Sequence, residues 1–212
     1  MNQVAFSKAL EHLRIRLCAK QTNQFVLYHK HLQEWAQRVR LVSRNDRSRI
    51  WERHFLDSLT AVPLIGTQPS RMLDLGSGAG FPGMPIKIVI PRLDVVLLEP
   101  ARMKALFLRS LIEKLEVGGV ICVRERVEDR DFISKFQGRF DIVVSRAVGP
   151  LRQLCVWIRP LLNVGGRILV FKGPDGVREL EAKLYSEWNI VAHPVDVPFG
   201  NQNRYLMDVR LK

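Results

Sequence analysis

The chain reads as an α/β protein: a doubly wound, mostly parallel sheet of seven strands with a C-terminal antiparallel hairpin and an N-terminal helical extension. Three observations predict this. Short apolar runs recur at 72–75, 95–98, 120–123, 141–144 and 167–171, with segments of helical spacing between them, and parallel neighbours require such crossovers. Glycines 76, 78 and 80 follow the first run directly, the mark of a strand that delivers the chain into a turn wrapped against a ligand. Two terminal runs, near 189–197 and 204–211, close the chain as an antiparallel pair added to the five parallel strands.

In chain order, apolar positions 6, 10, 13 and 17 predict an amphipathic helix over 4–20. Leu27, Leu32, Trp35 and Val39 predict a second over 25–42, and a third runs from 46 or 48 to about 64. Pro69-Ser70 ends this opening. Residues 1–69 are thus expected as a helical extension packed on a core formed by 70–212. After the glycine loop, helices are expected over 82–90 and 102–115. The strand 140–144 ends in Ser145-Arg146-Ala147. A helix over 150–162, a turn at 163–166, the strand 167–171 ending in Lys172-Gly173 and a last helix over about 176–188 complete the pattern. Ligands of such sheets lie outside the C-terminal strand ends. Residues 74–80, Glu99, 124–128, Ser145, Arg146 and Lys172 would therefore converge on one crevice.

At 212 residues and 47% hydrophobic, the chain can bury a full core. No run approaches the ~18 apolar residues of a membrane helix, and Glu11, Arg14 and Arg16 interrupt any apolar signal core. Three cysteines, 18, 122 and 155, form no close pair, which suits a reducing cytosol and argues against disulfides and structural zinc. Cys122 and Cys155 fall within a strand and a helix and read as core, not as nucleophiles. His29 and His31 point to different helix faces, so no metal is expected. A cytoplasmic monomer is the expected form. Thirty-three Lys and Arg against 21 Asp and Glu give +12, which points to a polyanionic partner met by a folded basic face.

The loop itself discriminates between cofactors. A dinucleotide fingerprint needs a third glycine three residues after Gly78, where Phe81 stands. Asp74, inside the strand, would repel a pyrophosphate, whereas it can hold the cationic methionine end of S-adenosylmethionine. Glu99, at the end of the second strand, can accept from both ribose hydroxyls, a requirement common to both cofactors. S-adenosylmethionine is the better fit, with Asp74, Gly76, Gly78, Gly80 and Glu99 at the site.

Leu73-Asp74-Leu75-Gly76-Ser77-Gly78-Ala79-Gly80-Phe81-Pro82-Gly83, then Arg126-Val127-Glu128, Ser145-Arg146-Ala147 and Lys172-Gly173, preceded by Arg53-His54-Phe55-Leu56-Asp57-Ser58, resemble the glucose-inhibited division protein B family. The resemblance runs from about residue 40 to the C-terminus. It implies a Rossmann-like S-adenosylmethionine-dependent methyltransferase that modifies N7 of one guanine in 16S ribosomal RNA, with that RNA or the small ribosomal subunit as partner. Carried over by position, cofactor contacts fall on Gly76, Phe81, Val127, Glu128 and Arg146. Arg146 is assigned as the residue the reaction depends on, with His54, Arg126 and Lys172 as RNA contacts. Simpler readings stand beside these: Arg146 could cap the site through Glu128, and His54 could bond Asp57 or the backbone. Arg146→Ala is expected to stop methylation with the fold intact, since it removes no core volume. The alternatives are a methyltransferase for another RNA or a protein, a Rossmann oxidoreductase, which Phe81 argues against, and a non-catalytic RNA-binding module, which the intact loop with its two acids argues against.

Overall fold

The computed structural model describes residues 3–66, 68, 70–173, 187–195 and 204–212. Its strands are β1 (Arg71–Leu75), β2 (Asp94–Leu98), β3 (Val120–Val123), β4 (Phe140–Arg146), β5 (Leu162–Lys172), β6 (Trp188–Val195) and β7 (Arg204–Leu211). They form one seven-stranded sheet in the order β3-β2-β1-β4-β5-β7-β6. The first five are parallel, and β7 runs antiparallel to β5 and β6. This is the sheet that the apolar runs and the terminal pair call for. Strand order reverses between β1 and β4, the position at whose C-terminal strand ends such sheets form their ligand crevice.

The parallel strands are continuous apolar runs because both faces are covered. Met72, Val95, Leu97 and Val144 pack on one face against α5 (Gly83–Val89), α6 (Arg102–Leu115) and the N-terminal helices. Leu73, Leu75, Val96 and Val143 pack on the other against α7 (Arg130–Phe136) and α8 (Leu151–Ile158). Here α6 has the expected bounds, while α7 is a helix the apolar pattern does not single out. Its Phe132 and Phe136 lie one turn apart and fill the second face. The helix expected over 150–162 gives way to a 3-10 turn at Arg159. Residues 163–166 do not form a turn but lie within β5. Gly165 takes φ +80°, a Cβ at Gly166 would meet the Phe140 carbonyl oxygen at 2.8 Å, and the register against β4 shifts between Phe140 and Ile142. The glycines admit an irregular stretch of strand where the pattern suggested a reversal. The helix expected over about 176–188 lies outside the described residues except at its end, where Trp188 already starts β6.

The helical opening differs most from expectation. The first helix, α1 (Gln3–His12), stops well short of residue 20. Arg14 adopts φ +55°, with Arg14 N–H on the Glu11 carbonyl at 2.9 Å and Ile15 N–H on that of Leu10 at 3.0 Å, which ends the helix in a Schellman motif. Next comes α2 (Ala19–Trp35), begun where the Gln21 side chain accepts the Cys18 N–H at 2.9 Å. The third segment is broken into a 3-10 turn (Arg44–Arg49), a π turn (Trp51–Leu56), α3 (Asp57–Leu59) and α4 (Val62–Ile65), which carries Pro63 in its first turn. Phe55, on the π turn, is fully buried, with ring centroids 5.1–6.3 Å from Phe6, Phe25, Tyr28, Trp51 and Phe81. One aromatic cluster thus joins the opening to the glycine loop. Phe55→Ala is expected to cost about 3–5 kcal/mol, read as a lower urea midpoint. A loss under about 1 kcal/mol would show that the opening is not part of the cooperative core.

Candidate active site

β1 ends in the glycine loop, and its geometry explains the residues. Gly76, Gly78 and Gly80 have φ of +69°, +57° and +92°, a region costly for side chains. A Cβ at Gly76 would meet Val148 Cγ2 at 2.6 Å, one at Gly80 would meet Tyr28 Oη at 2.5 Å, and one at Gly83 would meet Asp74 Oδ2 at 2.6 Å. At Gly78 the nearest atom is the Gly76 carbonyl oxygen at 3.9 Å. The loop is therefore wedged against protein at Gly76 and Gly80 and open at Gly78, the side left for a ligand.

Both acids touch the loop. Asp74 is fully buried. Its Oδ2 accepts the Gly83 N–H at 3.0 Å, and Oδ1 has no partner among the described residues. Burial pushes its pKa up to about 7, against the pull of the Gly83 N–H. Glu99 accepts the Gly78 N–H at 2.8 Å through Oε2 and the Ala101 N–H at 2.9 Å through Oε1, which leaves each oxygen a lone pair. A buried carboxylate oxygen without a partner is costly alone and favours a cation nearby. One acid on the open glycine and a second buried beneath the loop fit S-adenosylmethionine and disfavour a pyrophosphate.

Tyr28 is a site residue the sequence pattern does not reveal. It lies on α2, fully buried, and its hydroxyl donates to the Ala79 carbonyl at 2.5 Å, filling the volume a Gly80 side chain would need. Burial raises its pKa well above the usual value, so it stays a donor. The available signal is a tyrosine in the otherwise apolar stripe Phe25, Tyr28, Leu32, since a buried hydroxyl needs a partner. Its ring stacks on Phe81 at 5.4 Å and 12°. The Phe81 side chain is itself buried in the aromatic cluster, so its ring acts as a post behind the loop.

Arg146 closes the other side. At the end of β4, its Nη1 donates to Asp57 Oδ2 at 3.0 Å and to the Arg53 carbonyl at 3.1 Å, and its Nη2 donates to His54 Nδ1 at 2.8 Å. The guanidinium carbon lies 5.2 Å from the centre of the Phe81 ring. The π turn favours this. In an α-helix the Asp57 N–H would take the Arg53 carbonyl; here it reaches Glu52 and His54 instead, and the Arg53 oxygen is free to accept. Among the described residues, three of the five guanidinium N–H donors are used, leaving Nε–H and one Nη2–H. Arg146 does not pair with Glu128, which is exposed. His54 is not an outward-facing RNA contact: its side chain is 13% exposed, and burial followed by the Arg146 charge lowers its pKa to about 3. It is a neutral acceptor within the clamp. Nor is Arg146→Ala structurally silent, because it strips Asp57, 5% exposed, of its nearest cation and leaves Arg204 at 3.7 Å.

The other expected residues are placed separately. Val127 is buried against the second face. Arg126 is exposed, its N–H held by Asp129 Oδ2 at 2.7 Å. Lys172 Nζ donates to the Gly149 carbonyl at 3.0 Å. Burial pushes the Cys122 and Cys155 thiols up to about 11, so neither is a thiolate at neutral pH. Among the described residues no three side chains form a metal cluster.

Residues 21–207 match the GidB family, described as rRNA small subunit methyltransferase G. The Ribosomal RNA small subunit methyltransferase G of Roseiflexus castenholzii (strain DSM 13941 / HLO8) is 42% identical over 159 residues, 75% of this chain and 68% of that protein. The protein of the same name from Lactobacillus delbrueckii subsp. bulgaricus (strain ATCC BAA-365 / Lb-18) is 35% identical over 184 residues, 85% of this chain and 77% of that one. Among solved structures, M. jannaschii TYW2 in complex with AdoMet superposes with a TM-score of 0.58 at 12% identity, over 82% of this chain and 78% of that one, a likeness of fold. The glycine loop, its two acids and the clamped Arg146 thus sit within a sequence match that spans most of the chain, and the protein belongs to the GidB family of rRNA small subunit methyltransferase G proteins.

Proposed function

We propose that this protein, an S-adenosylmethionine-dependent methyltransferase of small-subunit ribosomal RNA, acts at N7 of one guanine of 16S RNA. The observation that carries the reading is the unpartnered, buried Asp74 oxygen beneath a glycine loop open at Gly78, beside the free edge of Arg146. S-adenosylmethionine, when bound, supplies a methyl group carried on a sulfonium. Asp74 and Glu99 would hold its cationic and ribose parts, and Gly76, Gly78, Gly80, Phe81, Val127, Glu128 and Arg146 complete the cofactor set. N7 of guanine has an in-plane lone pair and no proton at neutral pH, so its attack needs alignment and exclusion of water, not a general base. The neutral His54 and the absence of a thiolate at Cys122 and Cys155 agree with a site built for positioning. The two free Arg146 donors suit O6 of the guanine or a phosphate. Arg126 and Lys172 serve as outer RNA contacts, residues 1–69 back the crevice formed by 70–212, and the protein works as a cytoplasmic monomer. Among the described residues no helix is long and apolar enough to cross a membrane.

The direct test incubates the protein with methyl-labelled S-adenosylmethionine and small subunits from cells lacking its gene, then maps the label. A single N7-methylguanine in the small-subunit RNA is expected; label on another base, another RNA or a protein would refute the assignment. Asp57→Asn keeps the shape of the clamp and removes its charge. It should lower kcat on the order of 10²-fold by displacing the Arg146 edge, with a smaller change in cofactor affinity; wild-type turnover would remove Asp57 from the mechanism. Asp74 gives a pH signature. Its pKa is raised in the folded chain, so its contribution to stability is complete below 3.8 and is lost as pH rises through about 7. A bound cation favours the ionised form, so S-adenosylmethionine affinity should rise roughly tenfold between about pH 5.5 and about pH 7. Calorimetry on Asp74→Asn should find that rise flattened.

A further inference from the structure

The sheet has a second concave region, at the pole opposite the crevice. It lies where the chain enters β1 and β2 and where the corner between α1 and α2 folds over them. A groove of about 560 Å3 is lined by Arg14, Arg16 and Arg92 together with apolar residues that include Ile15, Val62 and Pro91, and among the described residues no acidic one lines it. A second groove of about 900 Å3 shares Arg14 and Arg16 and is lined further by Leu10 and Glu11 of α1 and Thr22 of α2. All three arginines are exposed. Arg14 and Arg16 precede residues 21–207, the span of the family match.

Arg14 carries the argument. It occupies the left-handed position of the Schellman motif that ends α1, at φ +55°. Glycine is the residue that position favours, and the pair that accompanies the motif, Leu10 and Ile15, is buried. The corner would therefore form more readily without this side chain. An arginine held in a disfavoured backbone region, lining both grooves, points to a ligand that uses it. Planar guanidinium groups match phosphate oxygens bidentately, and an open groove that shares two arginines with a second one suits a polynucleotide segment better than a single small anion.

We propose that this groove holds a backbone segment of the small-subunit RNA, a second docking point remote from the methyl-transfer crevice. The proposal rests on the reading of ribosomal RNA as substrate. The two regions lie at opposite strand ends, so only a substrate large enough to reach around the molecule engages both.

The test compares the wild-type protein, Arg14→Gly alone, and the triple variant Arg14→Gly, Arg16→Gln, Arg92→Gln, all as full chains. Methyl transfer to small subunits is followed against subunit concentration and salt. The triple variant is expected to raise the KM for subunits on the order of tenfold and to lower the slope of log KM against log salt by about 2, the loss of three phosphate contacts. Its kcat and its affinity for S-adenosylmethionine should not change. Arg14→Gly should raise the same KM with an unfolding midpoint equal to or above wild type. An unchanged KM and slope in the triple variant, or a KM rise that tracks a falling midpoint, would overturn the proposal. Wild-type protein that labels no subunits would instead refute the substrate reading, and the same variants measured for binding to purified small-subunit RNA would still read the groove on its own.

Discussion

The pair of Asp57 and Arg146, 3.0 Å apart with side chains 5% and 16% exposed, is the contact on which the architecture of the site depends. Burying two charges costs several kcal/mol of desolvation, and a well-packed apolar pair often does as well for stability. What the ion pair adds is direction. A guanidinium tied to Asp57, to the Arg53 carbonyl and to His54 has its remaining donors fixed in space at the end of β4. The π turn is part of the same device, since it spares the Arg53 oxygen a helical bond and leaves both its lone pairs to the guanidinium side. An irregular helix, a buried histidine kept neutral and a buried carboxylate are each unfavourable alone. Together they leave one arginine with a defined edge.

The glycine loop is fixed by a comparable arrangement from another element. Tyr28 reaches from α2 to bond Ala79 and fill the space behind Gly80, and its ring meets Phe81, on which His54 and Arg146 also bear. Two supports, one from α2 and one from the π turn, thus converge on one phenylalanine. The sheet supplies the loop and the acids, while the opening helices hold the loop and the arginine still. Positioning by rigid surroundings is what the proposed transfer to N7, a reaction without proton transfer, requires.

The sheet was legible because its signals are local: continuous apolar runs, glycines directly after β1, an acid at the end of β2. Its bounds agree closely except at the start of β5, and α6 falls at Arg102–Leu115 as expected. The helical opening was not, because its bounds are set by contacts distant in sequence. The hydrophobic spacing runs on through residues 13–17, yet the chain turns there to bury Ile15. Nothing in the composition of 46–64 announces a π turn, whose consequence is a bond to Arg146 some ninety residues later. Glycines 165 and 166 were misleading for a related reason: they signal positive φ or close approach, and β5 uses them within a strand. Around the loop, the gathering of Asp74, Glu99, the glycines and Arg146 at the C-terminal strand ends was legible. Tyr28 and the placement of His54 were not, since their roles arise only when α2 and the π turn meet the loop.

A chain of net charge +12 that is to bind a cationic cofactor faces an electrostatic conflict. Depth resolves it. Surface arginines act on a polyanion through water, where salt screens them beyond about 8–10 Å. Asp74 and Glu99 lie within the protein, at 0% and 5% exposure, where the lower dielectric strengthens contact interactions and the outer charges are screened. In the proposed reading the positive field therefore governs approach of the RNA, and the two buried carboxylates govern what sits in the crevice. The same separation explains why the acids lie beneath the loop: brought to the surface, they would weaken the attraction for phosphate and lose their hold on the cation.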